Sequence, residues 1–582
     1  MRKQKRITQA QSRRDFLKIN AVAGAGLLVP WVARASHETT VKNLPRLKGS
    51  TIPKFQNPLP MPGVMSPTVS TADYDYYEVA IRQFPQQILP NNATYNYPTT
   101  LVAGYGPTNG SAPFSTPGPL IVANANKPVR VKWINGQVDG AGNFLPHILA
   151  SEMFPDHVMW ANPPGPRDSH GNQFVHNSYQ GPVPIVTHLH GGTSEQESDG
   201  HPLAWYLPDA NNIPGGFYSA GTLYEDFKGL SPLGGDWGDG NAVFEYKGND
   251  IATLLWCHDH TLGLTEFNVY AGFAGGFLVQ GGAWDLPAGV LPSGDFQIPL
   301  VIQDRSFKPD GSLLFSGGDG DTLMVNGCTW PFLNVEQRRY RFRVLNGCNN
   351  IPLNLYLSRD DVPVHIIGSD IGFLPQAVRI NSLPMTNAER ADLIVDFTNV
   401  PTGTVLFLLN KGAGPFASGI KQVMRIEVVA AAGSPDTTTP ASQLGNLPVK
   451  PQVGAPVLTR QLALFDEKQG TLADGPQEFE EDPTETPTRD TTEIWEFYSD
   501  DSHPMHLHAA KFRVLSRQRY GGSVQGPKRW ERGWKDTVDV QENGITRIEV
   551  KFDNHTGLFV WHCHLLRHED LGMMRPLELQ EP

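Results

Sequence analysis

Four times in 582 residues this chain places two histidines one position apart: His188-Leu189-His190, His258-Asp259-His260, His506-Leu507-His508 and His562-Cys563-His564. Random placement of its 18 histidines would give about half of one such pair. Packing in a core does not account for the excess. In a β-strand, residues i and i+2 project from one face, so each pair presents two imidazoles to the same side. Eight imidazoles from two distant stretches of chain can then converge on a cluster of metal ions, provided the fold brings those extended segments together.

The last pair carries more information than the others. In an extended segment Cys563 points away from His562 and His564, so one stretch of backbone serves two metal sites. Candidate partners for the thiolate are close in sequence: His568 and Met573 follow it, and His503 precedes the third pair. Met574 is the rival to Met573. Two histidines and a thiolate with a weak axial methionine form the ligand set of a blue copper electron-transfer site. Zinc sites use tetrahedral Cys/His or His/carboxylate sets without a thioether, so a zinc hydrolase leaves His562-Cys563-His564 with His568 and Met573 unexplained.

With 58 glycines, 49 prolines and 18% charged residues, the chain favours short strands joined by turns. Val129-Arg130-Val131-Lys132-Trp133, Tyr340-Arg341-Phe342-Arg343-Val344 and Ile548-Glu549-Val550-Lys551-Phe552 each alternate apolar with charged residues. That period of two predicts one buried and one wet face, and its recurrence predicts an all-β chain of three repeated sandwiches. Linkers are expected near Gly281–Pro292 and Ala432–Pro451, dividing the chain into domains over 51–283, 288–432 and 455–582. The middle one carries no metal-binding signature. The Pro/Gly/Asn-rich stretch from Asn135 to Gly181 is expected to be a surface insertion, with a functional lid as the alternative. The acidic, Pro/Thr-rich stretch from Asp466 to Arg489 is expected to be an exposed loop.

Thr187-His188-Leu189-His190-Gly191, Trp256-Cys257-His258-Asp259-His260, His503-Pro504-Met505-His506-Leu507-His508 and His562-Cys563-His564 through Met573 resemble, in order, the four copper-binding motifs of multicopper oxidases. Ser198-Asp199-Gly200, Gly533-Trp534-Lys535-Asp536-Thr537 and His568-Glu569-Asp570 are most similar to bacterial three-domain members, the laccases, bilirubin oxidases and cuprous oxidases. The resemblance implies three cupredoxin-like Greek-key β-sandwich domains, with a copper cluster between the first and the last. It implies four coppers per chain. His503, Cys563, His568 and Met573 would hold type 1 copper, and His188 and His506 type 2. His190, His258, His260, His508, His562 and His564 would hold the type 3 pair. Asp199 and Glu569 would relay protons, or would simply orient ligand histidines. The implied reaction takes single electrons from a small-molecule donor and reduces O2 to water.

Phenols and related aromatics, bilirubin-like tetrapyrroles included, are the leading donors by this resemblance. A cuprous or other metal-ion oxidase is the second reading. It is weakened because the chain has 11 methionines and no methionine cluster between Pro384 and Pro451. A non-enzymatic cupredoxin scaffold should lack several ligands, and here every position is filled.

The N-terminus runs from basic residues through Ser12-Arg13-Arg14-Asp15-Phe16-Leu17-Lys18 and an apolar stretch to Ala33-Arg34-Ala35. That order predicts a twin-arginine export signal over residues 1–35, cleaved after Ala35, and a periplasmic protein. These residues carry eight Lys/Arg against one Asp, so their removal takes the formal charge from −12 to −19. Nucleic acid is excluded as a partner on that balance. No later stretch has 18 consecutive apolar residues, so no stable membrane insertion is expected after cleavage. Of the four cysteines, Cys257 is expected to be a buried inert thiol, and Cys328 and Cys348 either pair or stay free. His37, His147, His157, His170, His176, His201, His365 and His555 are expected to be ordinary histidines.

Overall fold

A computed structural model describes residues 44–152, 179–315, 317, 319–412, 421–433, 435–451, 454–465, 467–553 and 555–582. The expected export signal, its cleavage site, and His37, His157, His170 and His176 lie outside the described residues.

Period-two sequence does form strands. Val129–Asn135 and Gly544–Lys551 alternate buried with half-buried positions along their whole length. These and their neighbours build three two-sheet sandwiches. The first pairs a five-stranded sheet containing Val129–Asn135 with a four-stranded sheet in the order Gly118–Asn124, Ala274–Gln280, Thr253–Asp259, Thr187–His190. The second sets an eight-stranded sheet against a five-stranded one. The third sets a seven-stranded sheet against a four-stranded one in the order Thr537–Val540, His503–Leu507, Gly557–Cys563, Met574–Leu579. Helices among the described residues are short, and none is long and apolar enough to cross a membrane.

The outer sandwiches repeat one device. Thr187–His190 lies antiparallel to Thr253–Asp259 with His188 opposite His258, and His503–Leu507 lies antiparallel to Gly557–Cys563 with His506 opposite His562. In each, two His-x-His strands pair in the smaller sheet, so the ladder itself sets their imidazoles side by side.

Four expectations need correction or completion. The strand Arg339–Asn346 is buried throughout and has no wet face. Arg341 and Arg343 point under a cover and are matched there by Asp392, at 2.6 and 3.1 Å. The cover comes from the two linkers, whose Leu291, Ala441 and Leu447 pack on Ile367, Phe373 and Ile394 of the same sheet. The acidic stretch from Asp466 to Arg489 is not simply an exposed loop. Lys468–Thr471 and Gly475–Gln477 extend the seven-stranded sheet as a hairpin, and Glu485 is buried, accepting a hydrogen bond from Trp561 Nε1 at 3.1 Å. All four cysteines are free and buried, so Cys328 and Cys348 do not pair. In the described part of the Asn135–Gly181 stretch, beyond the strand end at Asn135, only isolated bridges such as Val138 to Phe144 occur.

Candidate metal centre

The two histidine-bearing sheets face each other across the boundary between first and last sandwiches, and the eight paired histidines meet there. His190, His258 and His564 form one group whose ring nitrogens lie within 4.8 Å of one another; His260, His508 and His562 form a second; His188 and His506 meet beside His190 in a third. In the second group His260 Nε2 and His508 Nε2 lie 3.2 and 3.3 Å from His562 Nε2. Ligands about 2.0 Å from a tetrahedral metal stand about 3.3 Å apart, so the spacing fits a metal ion.

Five of the rings are fastened through their outward nitrogen. His188 Nδ1 donates to Asp199 O at 2.6 Å, His258 Nδ1 to Asp259 O at 2.8 Å, His506 Nδ1 to Asp536 O at 2.9 Å and His562 Nδ1 to Cys563 O at 3.0 Å. His508 Nδ1 donates to Asp199 Oδ2 at 2.7 Å. Asp199 reaches both rings because Gly200, at φ +83°, lets the chain press on the His188 strand, where a Cβ would stand 2.3 Å from Thr187 O. The opposite nitrogens of His188, His258, His506 and His564 are buried and have no protein partner. Burial, reinforced by neighbouring imidazoles, holds His188, His190, His260, His506, His508 and His564 well below the usual histidine range, and burial takes His258 down to about 4. Neutral, fastened imidazoles with orphaned nitrogens are what a metal requires.

On the other face of the Gly557–Cys563 strand, Cys563 Sγ lies 3.7 Å from His503 Nδ1 and 3.8 Å from His568 Nδ1. A trigonal centre about 2.3 Å from sulfur and 2.0 Å from nitrogen puts those atoms about 3.7 Å apart. The short helix Leu566–Asp570 turns the chain back, so that Cys563 N donates to Met573 O at 3.0 Å. Met573 packs in the cluster of Cys563, whereas Met574 packs on Phe479 and Val560 in a different one. Burial pushes the Cys563 thiol up and takes His503 down to about 3, so a thiolate forms here when a cation replaces its proton. His568 is half-buried, while the remaining motif histidines, Cys563 and Met573 are buried.

The multicopper oxidase family model matches residues 455–581. A laccase of Bacillus subtilis (strain 168) is 31% identical over 569 residues, covering 91% of this chain and 99% of its own. The chain belongs to the multicopper oxidase family. A laccase of Haloferax volcanii is 33% identical over 595 residues, covering 98% of this chain and 91% of its own. The crystal structure of a laccase from Pediococcus acidilactici superposes with a TM-score of 0.64 at 25% identity, over 92% of this chain and 95% of that one. This multicopper oxidase is therefore a copper-dependent enzyme with oxygen as acceptor, built for four coppers of types 1, 2 and 3.

Asp199 stands between His188 and His508, and Glu569 between His260 Nδ1 at 3.5 Å and His562 Nδ1 at 3.2 Å. Cys257 is buried, and burial pushes its thiol up. His147, His201, His365 and His555 join no metal group among the described residues. Sequence reasoning missed Asp536 and Thr537 as partners of a motif histidine: Asp536 Oδ1 and Thr537 Oγ1 each lie 3.1 Å from His190 Nε2. Both stand in Gly533–Thr537, which served only as a mark of resemblance. No sequence signal tied that stretch to His190.

Proposed function

We propose that this multicopper oxidase is laccase-like, oxidising phenols and related aromatic donors one electron at a time and passing four electrons to O2. His503, Cys563, His568 and Met573 would hold type 1 copper. His188 and His506 would hold type 2, and His190, His258 and His564, with His260, His508 and His562, the type 3 pair. Copper, when bound, supplies a one-electron acceptor beside Cys563 and the electrons for O2 reduction among the eight histidines. The observation that carries the reading is Cys563, which faces His503 and His568 while its two neighbours in sequence each stand in a different three-histidine group.

The chain's own residues divide the work. His568, half-buried, is where a donor approaches the thiolate site. His562, Cys563 and His564 join the two sites by consecutive residues, with no mobile element between them. Asp199 fastens His508 and lies beside His188; Glu569 faces His260 and His562 and delivers protons to the oxygen side. Oxygen uptake by copper-loaded protein with a phenol, bilirubin or Cu(I) as sole donor tests the substrate class. The phenol should sustain uptake. Uptake with Cu(I) alone would replace this reading by a metal-ion oxidase.

Export completes the proposal. The twin arginines Arg13 and Arg14 direct the folded, copper-bearing protein to the periplasm, with cleavage after Ala35. Replacing both arginines with lysine should hold the protein in the cytoplasm on fractionation; unchanged periplasmic recovery would remove the assignment.

A further inference from the structure

Arg390 belongs to the middle domain, on the strand Arg390–Asp396, far in sequence from every histidine motif. Its side chain is 1% exposed, and its guanidinium touches all three domains. Nε donates to Leu254 O, 3.1 Å away on the first-domain strand that carries His258. Within its own domain, Nη1 donates to Ala388 O and Nη2 to Asp370 O, each at 3.1 Å. The same two nitrogens form a fork on the Asp536 carboxylate of the last domain, with Nη1 at 2.7 Å from Oδ1 and Nη2 on Oδ2.

Asp536 is where that fork meets the metal centre. Its Oδ1 takes His190 Nε2 and its carbonyl takes His506 Nδ1. His190 is thereby turned relative to the other fastened rings. His188, His258, His506, His508 and His562 engage Nδ1 outward, but His190 engages Nε2 and leaves Nδ1 buried without a protein partner. Gly191 shows how closely the three groups are set. A Cβ there would stand 2.4 Å from Asp536 Oδ2 and 2.6 Å from Arg390 Nη2, so only glycine lets the fork approach the residue after His190.

We infer that Arg390 is a positioning residue of the metal cluster: by clamping Asp536 it makes His190 present Nδ1, and His506 Nε2, to the metal. The inference rests on the reading of His190 and His506 as copper ligands. An arginine fork fixes both the distance and the plane of a carboxylate, which a lysine ammonium does not. The motif-free domain thus contributes to a site whose ligands come from the other two.

The test uses full-length protein stripped of copper and reloaded, followed by copper count, competition with a copper chelator and the electron paramagnetic resonance of the type 2 ion. Arg390→Met and Asp536→Asn should weaken copper binding at the cluster by roughly 10–100-fold. Both should alter the type 2 signal and leave the visible absorption of the Cys563 site intact. Arg390→Lys should recover affinity in part and the wild-type signal not at all. Lys535→Met breaks ion pairs of 2.7 and 3.0 Å to Asp370 and Glu389 at the same interface without touching His190. It should lower the unfolding temperature and keep the wild-type signal. A wild-type signal and affinity in Arg390→Met, or in Arg390→Lys should the methionine variant not fold, overturns the inference, as does an equal change in Lys535→Met. Wild-type protein that shows the visible absorption yet takes no further copper overturns the ligand reading itself, a result distinct from the others.

Discussion

Besides Asp536, two carboxylates face the histidine cluster, and their hydrogen bonds separate their work. Asp199 Oδ2 receives Nδ1 of His508 at 2.7 Å, which makes it a fastener of that ring. Glu569 is buried with its oxygens 3.5 and 3.2 Å from His260 and His562, yet neither oxygen receives a hydrogen bond, because His562 gives its Nδ1 proton to Cys563 O. A side chain that fastens nothing but faces the oxygen side is placed to exchange protons. Glu569→Gln keeps the shape and removes that exchange. Turnover should fall by roughly 10²–10⁴-fold, with copper count and visible absorption as in wild type. Asp199→Asn should slow turnover and also loosen copper at the cluster, since it disturbs a ligand ring. Unchanged oxygen uptake in Glu569→Gln would show that protons arrive by another route.

At the scale of elements, what the sequence made legible depended on how strongly each strand repeated its pattern. Val129–Asn135 and Gly544–Lys551 alternate over seven and eight residues, long enough for the period to be unambiguous. The histidine-bearing strands were legible because i and i+2 must share a face for their rings to converge. Arg339–Asn346 was legible as a strand but not as a buried one, because its cover comes from linkers distant in sequence. The hairpin of Lys468–Thr471 and Gly475–Gln477 was not legible at all: four and three residues are too few to show a period, and the acidic composition around them pointed to solvent. Its segment matters to the core through Glu485, which accepts from Trp561 Nε1 at 3.1 Å one residue before His562. Trp561→Phe leaves that buried carboxylate without its indole donor and should cost about 1–3 kcal/mol of stability. Denaturant unfolding of the copper-free protein measures it. A midpoint equal to wild type would mean that Thr484 Oγ1, 2.8 Å from the same side chain, satisfies Glu485 alone.

The molecule as a whole is joined at points where all three domains meet, and these no single-chain pattern could reveal, because each partner is unremarkable in its own stretch. Arg390 is one such point. Glu266 marks another: it lies on the first-domain helix Thr265–Ala271, its side chain accepts from Asn349 Nδ2 of the middle domain at 2.8 Å, and its backbone N donates to Asp570 Oδ2 of the last domain at 2.8 Å. Burial pushes the Glu266 carboxyl up to about 7, against the pull of the Arg567 charge. In the unfolded chain the same group ionises in the ordinary glutamate range of about 4.3. Its contribution to stability is therefore complete below that range, where both states are protonated. It is lost as the pH rises towards 7, because the unfolded chain releases a proton that the folded protein still holds. In copper-free protein this loss runs between about pH 5 and about pH 8 and opposes the gain from the buried histidines held below their usual range, which stay neutral while the unfolded chain still binds protons. Glu266→Gln, which can still accept from Asn349 and has no proton to lose, lacks that loss, so its unfolding temperature should rise relative to that of wild type over the same interval. Asp570, also raised by burial, retains part of the slope in the variant. Calorimetric melts of the two proteins across that range decide the matter, and parallel curves would mean that the junction is not where the pH dependence arises.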